Sequence, residues 1–128
     1  MSKPRLGWKI VKQTADGFRS ATHSSFGIRT YAVGVWTSPL QGYGPLGVFN
    51  TQNNALQFAW QHCCYDNNHP AYLCRCEYVK SAKTKMYVPA YPLNNEGSRG
   101  LQKLRLCVCP KGTVLATRVR LINAELIA

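Results

Sequence analysis

Acidic side chains are scarce in this chain. Only five of its 128 residues are Asp or Glu: Asp16, Asp66, Glu77, Glu96 and Glu125. Glycoside hydrolysis by paired carboxylates and two-metal phosphodiester cleavage both need several acids converging on one point. Asp16 falls in an expected turn and Glu125 near the chain end, so carboxylate-based catalysis is disfavoured. Long apolar runs are missing as well. No stretch approaches the roughly 18 apolar residues that cross a bilayer. No apolar segment follows Lys3 and Arg5, so a secretory signal is not expected either. The expected setting is a reducing cytoplasm, of a cell or of a virus-infected cell, with no membrane partner. A Walker A loop and a nucleophile elbow are both absent. Gly42-Tyr43-Gly44-Pro45-Leu46-Gly47 matches GxGxxG in form only, because Pro45 interrupts it and a strand, not a helix, is expected to follow.

What the chain has is positive charge. Sixteen Lys and Arg give a formal net charge of +11. They are unevenly placed: none lies between Trp36 and Cys74. Lys3, Arg5, Lys9, Lys12, Arg19 and Arg29 precede that neutral middle, and the rest follow it. If the two ends pair in one sheet, their cations form a continuous surface that attracts polyanions. Solubility alone is the competing explanation of the charge.

The hydrophobic share of 45% is that of a folded domain, and the length suits a single one. Residues 7–13 alternate, with Trp8 and Ile10 on one face, which predicts a strand. Asp16-Gly17 is a hairpin signal, with a second strand expected over 18–24. Residues 29–36 read as strand, with Gly34 as a bend. A short strand over 46–49 leads to Thr51 or Asn50 as a helix N-cap. Ala55, Phe58, Ala59 and His62 then follow helical spacing, with Leu56 and Trp60 widening the stripe. Residues 72–79 read as a strand with Tyr72, Cys74, Cys76 and Tyr78 on one face. Residues 81–100 read as a long polar loop. Further strands are expected over 104–109 and 113–122. The fold class expected is α+β: one domain over 1–128, a mostly antiparallel twisted sheet with one main helix, about 51–64, packed on it.

Several short motifs carry a resemblance. Tyr31-Ala32-Val33-Gly34-Val35-Trp36 is followed by Val48-Phe49-Asn50-Thr51 and Asn54-Ala55-Leu56-Gln57-Phe58-Ala59. Pro110-Lys111-Gly112-Thr113-Val114-Leu115-Ala116 and Val119-Arg120-Leu121-Ile122 come later. In this order the chain resembles a loose family of small proteins of phages and environmental microbes. The resemblance implies a fold and a mobile-element origin, and no chemistry. The layout more distantly resembles ADP-ribosyltransferase-like sheets, which implies a nucleotide binder, although no nucleotide-binding triad can be placed.

The cysteines fall as Cys63-Cys64, Cys74-x-Cys76 and Cys107-x-Cys109. On strands, each CxC pair points two sulfurs to one face. Cys74, Cys76, Cys107 and Cys109 could ligate zinc, with His62 or His69 as alternative donors. Common zinc knuckles have two intervening residues, not one, so buried reduced thiols are preferred and disulfides remain a third reading. Cys63 or Cys64 with a histidine is a conceivable nucleophile pair, but neighbours on a helix point about 100° apart.

Basic residues interleave with aromatics in two places, around Trp8, Lys9, Lys12, Phe18 and Arg19 and around Tyr78, Lys80, Lys83, Lys85, Tyr87 and Tyr91. Such mixtures can stack bases while cations hold phosphates, but Trp8 and Phe18 are read first as core, and Lys80 to Lys85 equally as a solvated loop. The expected function is therefore a non-enzymatic accessory protein that binds nucleic acid, or another acidic partner, through Lys80, Lys83, Lys85, Arg99, Lys103 and Arg105. A zinc module, a homo-oligomeric assembly protein, and an ADP-ribosyltransferase-like enzyme or nucleotide binder are the alternatives.

Overall fold

The computed structural model describes residues 3–20, 29–39, 45–62, 69–83, 87–89, 104–106 and 111–127. Its strands are β1 (Arg5–Thr14), β2 (Gly17–Ser20), β3 (Thr30–Tyr31), β4 (Trp36–Thr37), β5 (Leu46–Phe49), β6 (Ala71–Lys80), β7 (Tyr87–Pro89), β8 (Leu104–Leu106), β9 (Thr113–Leu121) and β10 (Glu125–Leu126). Its helix is α1 (Gln52–His62).

The alternation expected in the first strand sets the architecture. In β1, Trp8 and Ile10 point outward against α1, while Val11 joins a second cluster with Cys74, Cys76, Tyr78, Val119 and Leu121. β6 is divided in the same way, with Ala71 and Leu73 toward the helix and Cys74 and Cys76 on the other side. A strand apolar on both faces needs a cover on each. The helix covers one. The other is covered by curling the sheet onto itself.

This corrects the expected α+β class. β1 pairs with β5, β5 with β9, β9 with β6 and β6 with β1, all antiparallel, so four strands close a small barrel. The protein is mostly β, and the one helix among its described residues is an 11-residue patch on the barrel wall. β2 and β3 extend the sheet from β1, while β4 and β10 lengthen the edges of β9 and β6. A barrel this narrow is filled by side chains. Val48, Cys74, Cys76, Ala116 and Val119 fill it, all fully buried.

Gly7 shows how tightly the strands approach. A Cβ there would lie 2.8 Å from Cε1 of Tyr78 and 3.1 Å from the Phe49 carbonyl oxygen. At the expected Asp16-Gly17 hairpin, Gly17 adopts φ 111°, a backbone conformation that favours glycine. Thr51 does cap α1, its Oγ1 accepting from the Asn54 amide at 3.1 Å. Ala55, Phe58 and Ala59 are buried beneath the helix, but Trp60 is 53% exposed and not part of the buried stripe.

The expected strand over 29–36 is two short strands, β3 and β4, separated by a turn with Gly34 at φ 85°. The polar segment 81–100 contains β7, which pairs with β8 in a separate two-stranded ladder. Among the described residues no helix is long and apolar enough to cross a membrane.

Candidate functional site

The antiparallel pairing of β1 with β6 brings the two cationic regions together. Arg5 is opposite Tyr78, and Lys80 ends β6 two residues beyond. A bulge at Val79/Lys80 redirects the strand at this point. The turn that follows is tied down. The Ser81 amide donates to the Leu115 carbonyl at 2.9 Å, and the Ser81 hydroxyl accepts from the Lys83 amide at 3.0 Å. The result is a groove of about 520 Å³ at the barrel rim, lined by Lys3, Pro4, Arg5, Lys80, Ser81, Ala82 and Lys83. Lys3, Arg5, Lys80 and Lys83 are exposed, and among the described residues the lining contains no carboxylate. Four like charges repel one another and attract an external anion.

Of the six cations expected to form the site, the groove contains Lys80 and Lys83. Lys85, Arg99 and Lys103 lie outside the described residues, and Arg105 sits on β8 with its side chain outside them. Lys3 and Arg5 are the partners that sequence reasoning did not nominate. Their signal was the charge partition about the neutral middle. Only strand pairing could say which cations meet.

A second cluster lies on the outer barrel wall beside the rim. Leu6, Glu77, Arg120 and Trp36 occupy one row across β1, β6, β9 and β4. In β9, Val119 and Leu121 point inward, so Arg118 and Arg120 point out. Their guanidinium carbons lie 4.5 and 5.0 Å from the Trp36 ring centroid. Glu77 accepts from Nε of Arg120 at 2.9 Å and from its Nη2, which neutralises that cation. Farther along the wall, Arg75 lies 5.5 Å over Trp8. Nothing in the local sequence joined Trp36 to Arg118 and Arg120. The i, i+2 arginine spacing was the only hint.

Lys9 overturns part of the expected basic surface. It belongs to the inward face of β1 and is only 3% exposed. Its ammonium donates to the Gly47 carbonyl at 2.6 Å and to Ser20 Oγ at 3.4 Å, and lies 5.1 Å from the Tyr31 ring centroid. Burial disfavours the charged amine and lowers its pKa from 10.5 to about 8, with Cys76 and Cys74 opposing the fall. Barrel closure is the reason: an inward position on β1 facing Gly47 of β5 has no route to solvent. Lys9 is thus a core residue, not a ligand for a polyanion.

Cys74 and Cys76 share this interior and are free thiols. Burial pushes each up to about 12. Zinc binds thiolate, so this environment favours packing over ligation. Cys107 and Cys109, the other two expected ligands, lie outside the described residues, as do Cys63 and Cys64. Among the described residues no group of three or more His, Cys, Asp or Glu side chains could hold a metal.

No protein-family model, curated protein or solved structure matches the chain.

Proposed function

We propose that this protein is a small, basic, non-enzymatic module that binds nucleic acid, with phosphates seated in the rim groove. The observation that carries this reading is the convergence of Lys3, Arg5, Lys80 and Lys83, with no carboxylate among the described lining residues. Phosphate contacts from Lys and Arg supply sequence-independent affinity through counterion release. Trp36 and its guanidiniums on the adjoining wall favour nucleic acid over an acidic protein, because nucleobases add flat faces to the charge.

Fluorescence anisotropy of labelled oligonucleotides tests it. Four phosphate contacts imply a log–log salt slope of about −3, and affinity about 10- to 100-fold weaker at 200 than at 50 mM salt. The double variant Lys80→Glu/Lys83→Glu should lower the magnitude of that slope by roughly half. No binding at low salt overturns the proposal. Equally strong binding of poly-glutamate transfers it to an acidic protein partner.

A further inference from the structure

Resting on that reading, we infer that the nucleic acid is single-stranded, and that a base stacks at Trp36 in place of the Arg118 guanidinium. The two arginines beside the indole are held differently. Arg120 is fastened to Glu77 through two of its nitrogens. Arg118 is exposed, and no carboxylate pairs with it among the described residues. Its contact with the ring is a cation–π interaction on an open surface, which is weak and exchangeable. Arg118 can therefore leave the indole for a phosphate oxygen, where the hydrogen bond is charge-assisted. The vacated face accepts a base.

The strand register places this platform beside the groove. Arg118 is opposite Val79, the neighbour of Lys80, and Trp36 is opposite Arg120 on the next strand. From β6 to β4 is two strand spacings, and the Trp36 row crosses β6 at Glu77, three residues before Lys80, so the diagonal from Lys80 to Trp36 is roughly 14 Å. A backbone held by Lys80 and Lys83 that crosses the rim onto the outer wall thus reaches Trp36 within a few nucleotides. In a duplex the bases face each other and offer no free face to a side chain on the outside, so the platform selects unpaired strands.

Three ligands of equal length decide it: a single strand, the same strand without bases, and a duplex. Wild-type protein should bind the base-bearing strand about 5- to 150-fold more tightly than the abasic one. Trp36→Leu should remove that preference. Arg118→Ala should weaken both strands by removing one phosphate contact while keeping the preference for bases. Equal binding of abasic and base-bearing strands, or preference for duplex, overturns the inference but leaves the groove reading intact. Failure to bind any of the three at low salt overturns both. Should Trp36→Leu disturb β4, the wild-type comparison and Arg118→Ala still decide.

Discussion

Lys9 makes the stability of this protein depend on pH in a way that can be isolated. In the unfolded chain its amine keeps a proton up to about 10.5, whereas in the barrel it releases it near 8. Between those values the unfolded state binds more protons, so the Lys9 contribution to stability rises with pH. The interval corresponds to about 3 kcal/mol. The groups facing Lys9 act in the opposite direction. Cys74 and Cys76 ionise near 9.0 when unfolded and about 12 when folded, and the Tyr31 hydroxyl is raised above its usual 10.0 by burial. These groups subtract stability above pH 9, so the wild-type profile alone rises from about pH 8 to 9 and falls beyond it. Lys9→Met separates the components, because the thiols and the phenol remain in both proteins. Urea denaturation followed by tryptophan fluorescence, at intervals from pH 7 to 10.5, measures each free energy. The difference, wild type minus variant, should grow by about 3 kcal/mol in favour of wild type across this range. At pH 7 the two should be close. Relief of the buried charge in the variant is offset by the unpaired Gly47 carbonyl, which costs about 1–3 kcal/mol. Parallel profiles would mean that Lys9 reaches water and that the barrel is not closed around it.

Two other outcomes test the packing. Gly7→Ala places a methyl against the Tyr78 ring and the Phe49 backbone and should cost about 1–3 kcal/mol, read as a lower denaturation midpoint. Cys74 and Cys76 should resist a thiol reagent in native protein at pH 8 and react fully in urea, as followed by peptide mass spectrometry; rapid native labelling of either would contradict their burial.

The local signals were legible because each depends on near neighbours. Alternation put Trp8 and Ile10 on one face of β1 and Cys74 and Cys76 on one face of β6, and both assignments hold. Turn and cap chemistry located Gly17, Gly34 and Thr51, whose conformations are set within a few residues. The neutral middle separating two cationic regions was also plain from composition. A period of two residues, however, says that a strand has two faces and not what covers each. The helix was expected to cover one face of an open sheet; β1 and β6 also turn an apolar face inward, and only their pairing with β5 and β9 could close it.

By itself, then, the order of residues determined the strand faces, the cap, the hairpin turn and the excess of cations. The tertiary structure decided which cations face water together. It took Lys9 into the core, tied Arg120 to Glu77, and set Lys3 and Arg5 beside Lys80 and Lys83. Contacts between residues some 75 positions apart follow from antiparallel register between distant strands, and register is a property of the closed barrel as a whole.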